Sequence, residues 1–147
     1  MKRNSIDRDP CSITILGEPA SKANSRRLVT VRGRAMFIKS KKALDYGKSF
    51  KLQCPTRKDL YTKKQDLIVA MKIFYKTRRP DLDESLILDL MESMVYENDR
   101  QVKLKHIEWG LDKHNPRTLI VVSTIDNKDT VLKTLVENLE LDREENS

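Results

Sequence analysis

The amino-acid sequence predicts a mixed α/β (α+β) fold, in which helices pack on a mixed β-sheet. Residues 66–76 alternate in side-chain character like a strand, and the first half of this run is apolar on both faces, which suits a central position in the sheet. Three other stretches space their apolar residues as a helix does. The predicted order of elements, β-ββ-α-β-α-ββ-α, is typical of a mixed sheet with helices packed on it.

The first third of the chain predicts a strand, a hairpin and a helix. Residues 12–16 are short, β-branched and followed by a glycine, so we expect a strand. Residues 28–31 and 35–38 flank a glycine-containing turn, which indicates a β-hairpin. Ser40 is placed to cap a helix that continues to about residue 52.

The elements on either side of the last two strands are marked by residues that favour helix caps. Asp81 or Asp83 can cap a helix after the central strand, and Asp126 or Asn127 can cap the last helix. The elements predicted here are a helix up to about residue 94, strands over 101–111 and 117–125, and a helix over about 128–140.

The composition indicates one globular domain over residues 1–147, with 38% apolar and 35% charged residues. No stretch approaches the about 18 apolar residues of a membrane span, so no membrane association is expected. The basic N-terminus has no apolar run after it and does not resemble a secretory signal. Two cysteines cannot form a disulfide framework, which favours a reduced, cytoplasmic protein.

The charge is divided unequally along the chain. Residues 1–80 hold 21 Lys and Arg against 6 Asp and Glu, a net charge of +15, whereas residues 81–147 have a net charge of −8. A basic half attracts a polyanion, and nucleic acid is the commonest one. The alternative is an unevenly charged, solvated surface.

Seven basic side chains lie in predicted loops or turns, or close to them, where they can contact phosphate groups. For the two arginines of the hairpin tip, an ordinary solvated turn is the alternative. The seven residues are Lys22, Arg26, Arg27, Arg32, Arg34, Arg78 and Arg79.

Three aspartates form a candidate metal site. Asp81 and Asp83 are two residues apart, so on extended backbone their side chains point the same way, with Cα atoms about 6.5–7 Å apart. Asp99 precedes the next strand, and we expect the strand-helix-strand unit to bring both loops to one edge. Three carboxylates suit Mg²⁺, with Mn²⁺ as the alternative. Taken singly, such residues are most often helix caps or turn residues.

Two sequence blocks resemble the RusA family of Holliday-junction resolvases. They are RRPDLD at 78–83 and VYENDRQV at 95–102, separated by a leucine-rich helix. The segment ILGEPASK at 15–22 is similar to that family's opening strand and loop. The resemblance covers about residues 12–125, and the last helix is an addition to the family core.

The resemblance implies a homodimeric, Mg²⁺-dependent endodeoxyribonuclease of DNA recombination and repair. It would bind four-way DNA junctions in the cytoplasm of a bacterial cell or a phage-infected host, and nick two opposed strands symmetrically. The family's catalytic, metal-binding aspartates fall on Asp81, Asp83 and Asp99. A second family acid falls on Asn98, and Glu84 replaces a family asparagine, as an added ligand or a helix-terminal acid.

The catalytic lysine of the family is missing at its usual place. That position is Ile87 or Ser85, depending on the alignment, which leaves Lys76, Lys103 and Lys105 as candidates to replace it. Two further hypotheses therefore stay open. One is a catalytically weak or inactive branched-DNA-binding protein of the same fold. The other is a basic interaction protein in which the acids serve only as caps.

Overall fold

The computed structural model describes residues 8–21, 26–54, 56, 60–92 and 94–146. It confirms the predicted mixed fold, with a four-stranded sheet, a two-stranded sheet and three α-helices in these ranges. None of the helices described is long and apolar enough to cross a membrane. The elements are β1 (Cys11–Leu16), β2 (Arg26–Val31), β3 (Arg34–Lys39), α1 (Lys41–Gln53), β4 (Leu67–Tyr75), α2 (Ser85–Glu92), β5 (Val102–Leu111), β6 (Arg117–Thr124) and α3 (Lys128–Glu145).

The main sheet has the strand order β1-β6-β4-β5, so β4 is an inner strand as predicted. It pairs parallel to β5 and antiparallel to β6, and β6 pairs antiparallel to β1. Strands β1, β4 and β5 therefore run in the same direction. We call the edge where these three strands end, and where β6 begins, the carboxyl edge of the sheet.

Helices cover both faces of the sheet, because β4 has apolar side chains on both. On one face, α1 and α2 bury Phe50 and Ile87 in the larger core. On the other face, α3 buries Val131 and Leu135 over Ile68 and its neighbours. Each such buried side chain contributes roughly 1.5–3 kcal/mol to folding.

The helix ends differ from the prediction in two places. Ser40 caps α1 as predicted, its Oγ accepting a hydrogen bond from the Ala43 amide at 3.2 Å. Helix α2 is shorter than expected and ends at Glu92, while α3 continues to Glu145. Asn127 is the N-cap residue of α3, one of the two predicted alternatives, but its side chain makes no cap hydrogen bond and instead donates to Asp9 and Ser123.

A buried ion pair fastens α3 to the carboxyl edge. Arg117, the first residue of β6, donates from Nε to Asp142 of α3 at 3.0 Å and from NH1 to Asp112 at 2.7 Å. Its guanidinium lies 4.1 Å from the centre of the Phe74 ring. Arg117 and Asp142 are only 3% and 1% exposed, so neither charge is solvated by water.

We expect Asp142→Ala to lower the free energy of unfolding by about 3–5 kcal/mol, because it leaves the Arg117 charge buried without its main partner. Urea denaturation measures this loss. Glu140→Ala, an exposed change on the same helix, is the control and should stay within about 0.5 kcal/mol of the wild type. A loss below about 1 kcal/mol for Asp142→Ala would contradict a fastening role.

Candidate active site and nucleic-acid interface

Glu18 joins three parts of the chain at the carboxyl edge. The backbone turns at Gly17, whose φ of +108° favours glycine, and Glu18 then lies beside the end of β4. Its Oε2 accepts from the Lys76 amide at 2.7 Å, and its Oε1 contacts Lys42 Nζ in α1 at 3.0 Å. Sequence reasoning missed this role, because nothing in the pattern shows that residues 18, 42 and 76 meet.

After β4 the chain folds back along β5. The Trp109 Nε1 of β5 donates to the Pro80 carbonyl at 3.2 Å, and the Trp109 ring stacks on Tyr75 with centroids 6.1 Å apart. Further along, Lys105 Nζ lies 2.9 Å from Glu84 Oε2. The segment from Asp81 to Glu84 is therefore held beside β5.

Asp83 lies one residue before the N-cap position of α2, which is Glu84, because the Glu84 carbonyl accepts the first helical bond from the Leu88 amide. The predicted cap at Asp81 or Asp83 is therefore placed too early, although Asp83 bonds the first residue of the helix. Its Oδ1 accepts from the Ser85 amide at 3.0 Å and from Ser85 Oγ at 2.6 Å, and its own amide donates to the Tyr75 hydroxyl at 3.1 Å. These bonds fix the half-buried Asp83 carboxylate. Asp81, two residues earlier, is exposed to solvent.

The charges of three carboxylates act on the Tyr75 hydroxyl, and we call Glu18, Asp83 and Glu84 the Tyr75 acid group. Burial raises the pKa of Tyr75, the hydrogen bond from the Asp83 amide lowers it, and the negative charges of these three residues raise it. Partial burial acts to raise the pKa of Glu84, but the hydrogen bond from Lys105 and its charge outweigh burial and lower it. Glu84 is therefore a carboxylate at neutral pH, paired with the Lys105 ammonium group.

Asp99 belongs to a different neighbourhood. It begins a short 3-10 turn, Asp99–Gln101, which Asn98 caps by accepting from the Arg100 amide at 2.9 Å. Burial raises the pKa of Tyr96, and the charge of Asp99, with those of two acids of α2, raises it further.

The structure corrects the expectation that the two aspartate-bearing loops share one edge of the sheet. Because β4 and β5 are parallel, with Leu67 opposite Val102 and Tyr75 opposite Leu111, β4 ends at the carboxyl edge and β5 begins at the opposite one. The fold-back brings Asp83 to the level of β5, while Asp99 lies before that strand begins. Within the described ranges, no three His, Cys, Asp or Glu side chains are arranged to hold a metal ion.

The three candidate lysines are in different places. Lys105 contacts the Tyr75 acid group, whereas Lys76 contacts Glu18 through its backbone amide. Lys103 lies at the irregular start of the β4–β5 pairing. Neither residue at the family's usual lysine position can take over the role of the lysine. Ile87 is buried in the core, and Ser85 donates to Asp83.

The predicted phosphate-binding residues are divided between the β2–β3 hairpin and the loop after β4. Every one of them that is described is exposed to solvent. The hairpin leads directly into α1, which Glu18 ties to the end of β4, so hairpin and loop both leave the body at the carboxyl edge. The hairpin holds Arg26, Arg27, Arg32 and Arg34, the loop holds Arg78 and Arg79, and Lys22 lies outside the described residues.

No protein-family model matches the chain, and no curated protein matches it.

Proposed function

We propose that the chain is a Mg²⁺-dependent endodeoxyribonuclease that cuts branched DNA, four-way junctions above all, in the manner of the RusA-like resolvases that its sequence resembles. The observation that carries the proposal is the position of Lys105. Its ammonium group lies 2.9 Å from Oε2 of Glu84, the residue that follows Asp83 in the chain. Lys105 would thus provide a cation next to the acids, although no lysine stands at the family's usual position.

Carboxylate oxygens are the ligands that a hard divalent cation prefers, and Asp81, Asp83 and Glu84 supply them in the segment that is held beside β5. Asp81 and Asp83 would hold the ion. The resemblance implies Asp99 as a third ligand, but in this structure Asp99 lies in a separate neighbourhood. A bound Mg²⁺ or Mn²⁺ would supply Lewis acidity and lower the pKa of a bound water.

The chain's own residues have separate tasks in this proposal. Ser85 and the Tyr75 hydroxyl orient Asp83 before any ligand arrives. Glu84 holds the Lys105 ammonium where it can offset negative charge on the phosphate that is cut. Arg78 and Arg79 contact neighbouring phosphates and position the strand.

We also propose a homodimer, because a four-way junction presents two equivalent strands related by a two-fold axis. A dimer with C₂ symmetry places two identical sites on two related phosphates, and this is the commonest symmetry of homo-oligomers. One chain with one site would cut one strand in each encounter.

The second candidate function is branched-DNA binding with little or no cleavage. The separate neighbourhood of Asp99 favours it, since the third ligand does not stand with Asp83. The two candidates share the basic hairpin and differ only in turnover.

The deciding experiment incubates the purified protein with a labelled four-way junction, in Mg²⁺ and in EDTA, with a linear duplex of the same length as control. Nicked junction arms in Mg²⁺ alone support the nuclease. Junction binding in EDTA without any nicking in Mg²⁺ or Mn²⁺ supports the binding protein. Equal, weak affinity for junction and duplex would overturn both and leave a basic interaction protein.

We expect Lys105→Met to slow junction cleavage by about 100-fold or more and to leave junction affinity within about threefold, because the lysine acts on charge that develops during the reaction. Single-turnover cleavage with saturating protein measures the rate. Lys133→Met, an exposed change on α3, is the control. A full rate for Lys105→Met, with the loss appearing in Lys76→Met or Lys103→Met instead, would assign the role to another lysine.

A further inference from the structure

The β2–β3 hairpin is an exposed ribbon. None of its strand residues is buried, and each strand has only one half-buried residue. Its turn is tight, because Arg32 and Gly33 both have positive φ values, 51° and 78°, as a type I′ turn requires. A two-stranded ribbon without a covered face is marginal in water. A partner that covers one face would therefore stabilise it.

The ribbon has an apolar pair on one face. Leu28 lies directly opposite Phe37 in the strand register, and the two side chains are 61% and 71% exposed. On the same face, the next pair toward the stem is Arg26 opposite Lys39. This face thus presents an exposed apolar pair next to two cationic side chains.

The charge of the ribbon favours nucleic acid over a second copy of the chain as the partner of this face. Residues 26–39 contain five Lys and Arg and no acidic residue. Two such ribbons packed by C₂ symmetry would bring ten like charges together around the apolar pair. A polyanion pairs with the same charges instead.

We infer that the Leu28–Phe37 pair contacts base faces at the branch point of DNA, while the arginines and lysine of the ribbon hold the flanking phosphates. The inference takes its ligand, branched DNA, from the proposed function and does not depend on cleavage. A two-stranded ribbon fits a DNA groove. Apolar wedges such as Leu and Phe enter base steps that are already easy to unstack, and an aromatic ring stacks on any exposed base.

This contact would give the protein its preference for branched over continuous DNA. In a continuous duplex every base is stacked, so the apolar pair would have to open a step to reach a base face. At a branch point stacking is interrupted, and the same contact costs less. The ribbon arginines bind phosphates in either substrate.

The test measures binding in EDTA, with 2-aminopurine placed next to the crossover of a four-way junction. We expect Phe37→Ala to weaken junction binding by about tenfold, to leave duplex binding within about twofold, and to remove the 2-aminopurine fluorescence change seen with the wild type. Phe37→Trp keeps an aromatic ring at this position, so it should keep both the junction affinity and the 2-aminopurine fluorescence change of the wild type. Leu52→Ala, which removes an 89% exposed leucine of α1, is the matched control and should behave as wild type.

Three results would overturn the inference. If the wild type prefers the junction and Phe37→Ala keeps that preference, only the role of the apolar pair fails. If Phe37→Ala converts a dimer to a monomer in sedimentation, the pair belongs to a second copy. If the wild type binds junction and duplex equally, the proposed function fails as well.

Discussion

Asp83→Asn should abolish junction cleavage, with a fall in rate of about 1,000-fold or more, and leave junction affinity within about threefold. The substitution removes a ligand charge from the metal site, and such charge contributes several kcal/mol to catalysis. The fold should be unchanged, because an asparagine oxygen can still accept the Ser85 hydrogen bonds that Asp83 accepts now. Single-turnover cleavage and junction binding in EDTA measure the two quantities.

The control is Asp129→Asn, which removes the same charge from an exposed position on α3. Asp99→Asn belongs in the same experiment, since Asp99 stands apart from the Tyr75 acid group. If both Asp83→Asn and Asp99→Asn lose cleavage, the two neighbourhoods work together when the metal is bound. Cleavage by Asp83→Asn at the wild-type rate in saturating Mg²⁺ would refute the assignment of Asp83 as a ligand.

DNA affinity should fall by about 10³–10⁵-fold between 50 and 200 mM salt, if the chain makes about six to ten phosphate contacts. Each neutralised phosphate releases counterions, so the slope of log affinity against log salt is about −0.9 per contact on duplex arms. The net charge of +15 over residues 1–80 motivates this expectation. Fluorescence anisotropy with a labelled junction, titrated at several salt concentrations, measures the slope.

The hairpin should account for much of that slope. Replacing Arg26, Arg27, Arg32 and Arg34 together by alanine should make the slope shallower by the amount that about four phosphate contacts contribute. Replacing Lys128 and Lys133 on α3 is the matched control and should leave it unchanged. A wild-type slope near zero would rule out phosphate binding as the basis of DNA affinity.

Local sequence signals predicted the elements that depend on near neighbours. The inner position of β4 followed from its apolar run on both faces, and the structure confirms it. The hairpin followed from its Gly-containing turn, and α1 from Ser40 and the helical spacing after it. In each case the residues that decide the structure lie within a few positions of one another.

Contacts between distant residues were beyond the same signals. Apolar periodicity identifies strands but not their neighbours, so the position of β6 beside β4 could not be predicted from it. The strand-helix-strand order does favour parallel pairing of β4 with β5, and this pairing separates Asp99 from the carboxyl edge. Glu18 reaches the Lys76 amide because β1 and β4 end at the same edge of the sheet, and no local signal around Glu18 shows this.

Only those parts of the candidate site that are adjacent in sequence could be predicted. The acid pair after β4 and the arginines before it are adjacent in sequence, so a short motif finds them. Lys105 reaches Glu84 from a strand 21 residues away, and only the fold-back of the chain along β5 brings them together. The sequence alone does not distinguish Lys105 from Lys76 and Lys103 as the replacement for the family lysine.

A supercoiled plasmid that extrudes a four-way cruciform tests the central claim most directly, because its products report metal dependence, branch recognition and paired cutting together. We predict linear plasmid in Mg²⁺, from two opposed nicks within one binding event, and supercoiled plasmid in EDTA. Mixed dimers of wild type and Asp83→Asn should yield nicked circles. A plasmid that stays supercoiled in Mg²⁺ and in Mn²⁺, with the cruciform fully bound by protein, would contradict the account of this chain as a junction-cutting nuclease.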